Sequence, residues 1–220
     1  KRVLRHLKKS LSLTRDKVGE QAAVYRAVEQ SPGDYTASFS ISLDADLPAA
    51  EATRRIHKVL LGMMLANVEG VTRDWDTEFL HDFRVAVRRT RSALSQVKGV
   101  FPQEEIDRFS GDFRWLGKRT GPARDMDVYL QTIPRFQAAL PMEAREELSP
   151  LVDLIREKKR LEHRRLRGCL RSKRFRVLLV YWDSFDNNGD VNVPEGPKAG
   201  RPFKEVATHR ICKAYERVMK

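Results

Sequence analysis

Apolar residues return at helical spacing along almost the whole stretch from position 48 to position 185, and prolines stand between the runs. Ile56, Leu60, Leu61, Met64 and Leu65 mark the first run, and further runs cover about 77–99, 103–118, 124–139 and 143–185. Pro102, Pro122, Pro141 and Pro150 fall at or near their boundaries, where a residue without a backbone N–H is expected to begin or end a helix. Short connections between such runs predict an all-α, up-and-down helical bundle.

The flanks differ. Residues 1–28 read as an amphipathic helix (Val3, Leu4, Leu7, Leu11) that stops at Ser31-Pro32-Gly33-Asp34, and an extended stretch follows over 35–43. Residues 186–202 are turn-rich, with Asn187-Asn188-Gly189, Pro194, Gly196-Pro197 and Gly200, and a new helix begins after them. The expected organisation is therefore an N-terminal helix and linker (1–44), a first bundle (45–185), a linker (186–202) and the start of another helical unit (203–220). Because Lys1 already lies within a helical pattern, the chain is expected to be a piece of a longer polypeptide.

Charge narrows the partners. Forty-two Lys and Arg against 30 Asp and Glu give 220 residues a net charge of +12, which favours polyanions: nucleic acid, an acidic lipid surface or polyphosphate. The longest apolar run, 177–182, is far shorter than the ~20 residues of a membrane span, and no secretory signal opens the chain. Cys169 and Cys212 are isolated, as suits a reducing compartment, so a cytoplasmic protein without cofactor or metal is expected.

Two helix faces carry the cations. At about 100° per residue, His81, Arg84, Arg88 and Arg91 fall within an arc of roughly 80°, while Phe79, Phe83, Ala86, Ala93, Leu94 and Val97 gather on another side. No acid lies between Arg84 and Arg91 to neutralise the ladder, whereas an ordinary solvated face mixes in acids one turn away. A phosphate-rich anion would relieve the repulsion, and the planar guanidinium fork suits phosphate oxygens. Farther on, Arg156, Arg160, His163, Arg164, Arg167, Arg171 and Arg174 lie within roughly 100° of arc over about 27 Å of helix axis. The plain alternative for this second ladder is a solvated basic helix, or ion pairing with Glu143, Glu146 and Glu147. No aromatic residue interrupts it from 151 to 174, whereas proteins that grip single-stranded nucleic acid interleave cations with stacking platforms. Phosphate without bases fits better.

The segment Leu80-His81-Asp82-Phe83-Arg84-Val85, continuing to Arg88-Arg89-Thr90-Arg91, resembles the L-H-x-x-R-V-x-x-R-R-x-R segment of the CHAD family. Trp115-Leu116 and Arg124-Asp125-Met126-Asp127-Val128 follow it, the latter similar to the family's R-D-x-D-V. The resemblance covers about residues 45–220. It implies two pseudo-symmetric helical halves around a basic channel that binds inorganic polyphosphate without chemistry, in the cytoplasm, with polyphosphate granules as a location. It also implies channel-lining roles for His81, Arg84, Arg88 and Arg91, with Arg54 and Lys58 on the preceding helix as weaker candidates. Arg160, Arg164, Arg167 and Arg171 join the candidate set from the second ladder. A CYTH-type triphosphate tunnel domain often accompanies the family, but residues 1–44 show none of its alternating strands.

A short internal match agrees with two halves: residues 52–58 (ATRRIHK) align with 207–213 (ATHRICK) at an offset of 155. The chain then reads as the first half of a pseudo-two-fold repeat with the second only begun. Two other functions compete. One is a nucleic-acid-binding helical protein, distinguished by whether the ladders line a concave groove. The other is a metal-dependent phosphohydrolase of the HD type, suggested by His57, His81-Asp82 and Asp125 or Asp127. Adjacent guanidinium groups oppose metal at His81, and Asp125 and Asp127 read as favourable charges in the first turn of a helix beginning at Pro122. No Gly-rich phosphate loop is present.

Overall fold

The computed structural model describes residues 39–186 and 195–219, all within one compact unit. The expected N-terminal helix, the turn after it and the Asn187-Asn188-Gly189 turn lie outside these residues. Among the described residues the fold is all-α. Its helices are α1 (Ala49–Arg73), α2 (Thr77–Gln96), α3 (Gln103–Ala139), α4 (Met142–Glu147), α5 (Ser149–Leu170), α6 (Lys173–Asp186) and α7 (Phe203–Val218).

The α1–α2 hairpin is set by local chemistry. Asp74 ends α1 in the left-handed conformation (φ 54°), which a short polar side chain tolerates, and the Trp75 N–H donates to the Gly70 carbonyl at 3.1 Å. Asp76 then caps α2, its carboxylate accepting from the Glu78 N–H at 2.8 Å. Gly70 is obligatory here: a Cβ on it would stand 2.3 Å from the Phe79 ring.

Two expected boundaries fall elsewhere. Pro122 begins no helix; α3 runs unbroken through it and through Pro134 for 37 residues. A mid-helix proline costs about 3 kcal/mol, but Ile106, Phe109, Phe113 and Leu116 before it and Ala123 and Met126 after it are all buried, so packing on both sides holds the helix together. Asp125 and Asp127 consequently lie in mid-helix rather than in a first turn. The helical run expected over 143–185 is divided into α4, α5 and α6, with Pro150 in the first turn of α5 at an expected boundary and a further break before α6. Ser172 makes the last break: its N–H donates to the Cys169 carbonyl (3.1 Å), and its hydroxyl caps α6 by accepting from the Phe175 N–H (3.2 Å).

The core gathers on Trp182 of α6, fully buried, whose ring centroid lies 4.7–4.8 Å from those of His57 (α1), Phe109 and Phe113 (α3). The α1 and α7 starts exchange backbone bonds. The N–H groups of Ala49 and Ala50 donate to the carbonyls of Arg201 and Ala199, and those of Phe203 and Lys204 to the carbonyls of Leu47 and Ala45, at 2.8–3.1 Å. Each bond maps onto its counterpart by a shift of 154 residues, and each helix's otherwise unpartnered N-terminal donors are satisfied by the other's lead-in.

Candidate polyanion-binding groove

Helix α2 buries Phe79, Phe83, Ala86 and Leu94, and this turns His81, Arg84, Arg88 and Arg91 toward α3. There they meet Arg114, Lys118 and Arg124, and the two helices enclose a groove of about 590 Å³. Six cations and one histidine line it, with no carboxylate and no Phe, Tyr or Trp among the lining residues. Gly117 and Thr120 of α3 also line it, and Gly121 lies beside them in the same helix. A Cβ at Gly117 would stand 3.6 Å from Nη1 of Arg91, and one at Gly121 3.6 Å from Nη1 of Arg84, so both guanidinium groups lie low over bare backbone.

Individual cations differ in freedom. Arg84 is half-buried and anchored: its Nη1 donates to the Gly117 carbonyl (3.0 Å) and to the Thr120 hydroxyl (2.8 Å). Burial pushes its pKa below the ordinary arginine value; Asp125 opposes that, and Arg124 and Arg88 add to it. The guanidinium stays charged regardless. Arg88 and Arg91 are exposed. Arg124 reaches back across the groove to the start of α2, donating from Nη1 to the Thr77 carbonyl (3.3 Å), with its Nη2 3.2 Å from Nδ1 of His81.

The second ladder does not join this groove. His163 is buried and donates from Nε2 to the Val71 carbonyl (2.7 Å), and Arg167 donates from Nε to the Thr72 carbonyl (3.1 Å). Together they cap the last turn of α1, where unpartnered carbonyls attract cations. Arg156 pairs with Asp153, and Arg174 pairs with Asp112 and lies over the Trp115 ring. Arg160 and Arg164 on α5, and Arg171 just after it, are exposed and are not among the groove's lining residues. Arg54 is also elsewhere, paired with Glu195 at 3.1 Å and stacked over Phe101, and Lys58 is exposed on α1. Of ten sequence candidates, the groove unites His81, Arg84, Arg88 and Arg91.

Arg114 and Lys118 complete the lining without any signal in the sequence pattern that marks them for it, and Arg124 joins them from the second family-like segment, where the sequence did not assign it a binding role. Arg114 and Lys118 are one turn apart on α3, a spacing readable in the sequence, but nothing local says that this face meets α2. Lys118 also borders a second groove of about 510 Å³, shared with Trp115, Arg119 and Arg165. The HD-type metal set does not assemble: His57 is sealed in the core against Trp182, and Asp127 binds Lys159. Among the described residues no three His, Cys, Asp or Glu side chains gather as a metal site.

The CHAD domain profile matches residues 55–220. This chain belongs to the CHAD family. The crystal structure of the CHAD domain from the plant Ricinus communis is 29% identical, with a TM-score of 0.59 over 74% of this chain and 53% of that one. PptA from Streptomyces chartreusis is 14% identical, with a TM-score of 0.58 over 77% of this chain and 60% of that one, and shares the fold. The chain thus spans little more than half the length of these solved relatives, and no curated protein matches it. Within this CHAD chain, the two family-like segments meet: the first supplies His81 and its arginines, the second supplies the Arg124 that contacts His81.

Proposed function

We propose that this CHAD-family chain binds inorganic polyphosphate in the α2–α3 groove and releases it unchanged. One observation carries the reading: six cations and a histidine line a concave groove with no carboxylate among its lining residues. The groove lining holds no Phe, Tyr or Trp platform on which successive bases could stack, which favours bare phosphate over single-stranded nucleic acid. Exposed Arg160 and Arg164 on α5, and Arg171 just after it, give a long chain further charge outside the groove. Non-catalytic action is supported by the structural use of His57 and Asp127, and by Cys169, whose thiol burial pushes up against the pull of Arg119 and Arg174.

The reciprocal backbone bonds at the starts of α1 and α7 support the view that α7 opens a second, related half. Among the described residues no helix is long and apolar enough to cross a membrane, and we place the protein in the cytoplasm, where polyphosphate granules are a natural location.

The test is competition between long-chain polyphosphate and single-stranded or duplex DNA at matched phosphate concentration. Polyphosphate should win, and its affinity should fall steeply with salt as counterions are released. Equal or tighter DNA binding would favour the nucleic-acid reading. Release of orthophosphate that His81→Ala abolishes in a folded chain would overturn the non-catalytic one.

A further inference from the structure

His81 meets Arg124 through one nitrogen only: Nδ1 lies 3.2 Å from Nη2 of the guanidinium. Guanidinium nitrogens donate and never accept, so Nδ1 must offer its lone pair. A neutral imidazole carries a single ring proton, which then sits on Nε2. Arg124 is held for this task from behind, by the Thr77 carbonyl at 3.3 Å and by Glu78 at 4.0 Å.

We infer that Arg124 is a positioning residue that fixes the tautomer of His81, so that the ring presents Nε2–H to a phosphate oxygen in the groove. Without it, the proton can move to Nδ1 and leave a lone pair at Nε2, which repels an anionic oxygen. In its neutral form the ring then adds a directional donor to the six cations that line the groove. The inference rests on the phosphate-binding reading for its ligand, but the tautomer itself is a property of the free chain.

The experiment exploits that separation. Long-range ¹H–¹⁵N correlation spectra of histidine-labelled full chain, with the imidazole neutral and His81 assigned from His81→Gln, should show Nε2 protonated and Nδ1 bare. Arg124→Met should shift His81 to a tautomer mixture, and Arg124→Lys, which keeps a donor, should restore the original spectrum. Polyphosphate of defined length should bind Arg124→Met about tenfold to a hundredfold more weakly, as expected for loss of a charge-assisted contact. In a His81→Gln background, whose amide donates without tautomer control, the Arg124→Met loss should be smaller. A wild-type proton on Nδ1, or an unchanged tautomer in Arg124→Met, would overturn the inference. A wild-type chain with the stated tautomer that ignores polyphosphate would instead overturn the binding reading, leaving the hold of Arg124 on His81 intact.

Discussion

The Lys159 ammonium stands 2.8 Å from the Asp127 carboxylate and 3.6 Å from that of Asp74, so α5 is tied at one point to α3 and to the end of α1. Burial opposes the Lys159 charge, but the hydrogen bond and field of Asp127, with Asp74 behind it, outweigh burial and push its pKa above the ordinary lysine value. Asp127 is more deeply buried, and burial pushes its own pKa up despite Lys159. The ammonium, facing two carboxylates, is the better-stabilised partner.

Removing Lys159 should therefore strand a buried carboxylate. Lys159→Met should destabilise the fold by on the order of 2–4 kcal/mol, the part-exposure of Lys159 holding it below the top of the buried-pair range. Lys159→Met combined with Asp127→Leu should recover most of the loss, since the uncompensated charge goes too. Urea denaturation of both variants measures this; a double variant no better than the single would show that the pair does not act as a unit.

His57 makes stability fall in acid. Burial holds its pKa at about 3 against the ordinary 6.5, so the folded state keeps it neutral while the unfolded chain takes up a proton. Its contribution is complete above pH 6.5 and is lost as pH falls toward 3, at about 1.4 kcal/mol per pH unit within the window. Other groups titrate there as well, so the reading is the difference from His57→Leu. The variant's stability should decline with a slope shallower by one proton, and equal slopes would contradict the assignment.

The groove arginines should separate into two kinds. Arg88→Ala with Arg91→Ala removes two exposed cations that repel their neighbours, so the free protein should keep its stability or gain slightly, while polyphosphate binding weakens at least about tenfold. Arg84→Ala should cost stability by about 1–2 kcal/mol, because its bonds to the Gly117 carbonyl and the Thr120 hydroxyl tie α2 to α3. Thermal melts with and without polyphosphate, beside a direct titration, distinguish the cases. Early melting of the Arg88, Arg91 variant without ligand, together with normal binding, would make the ladder a structural network.

Packing gives a sharper contrast. Phe83 is fully buried, and Phe83→Ala should cost about 3–5 kcal/mol. Gly70→Ala should destabilise by about 1–3 kcal/mol or more, since its Cβ would overlap the Phe79 ring. Gly62→Ala, also in α1 but with nothing within 4 Å of the added Cβ, should stabilise by about 0.5–1 kcal/mol. Similar denaturation midpoints for the two glycine variants would be inconsistent with the packing described.

The faces of α2 are legible in the sequence because helix geometry is local. Once 3.6 residues make a turn, Phe79, Phe83 and Leu94 must share a side, and Arg84, Arg88 and Arg91 must share another with His81. The apolar periodicity likewise specifies an all-α bundle. The internal proline at Pro122 misleads because its local cost is outweighed by burial on both flanks, which no window of sequence contains. The cations of α5 mislead for a related reason. Periodicity shows that they share a face, but only packing shows that His163 and Arg167 turn to the carbonyls ending α1, and that Lys159 turns to Asp127. The groove depends on the same kind of information. His81 and Arg124 are 43 positions apart, and their 3.2 Å contact exists because buried side chains bring α2 against α3. Sequence determined which side chains each helix presents, since that follows from backbone geometry over a few residues. Tertiary structure decided which presented charges meet one another, which are consumed by carbonyls and carboxylates, and which remain for a ligand, because those outcomes depend on contacts between distant segments.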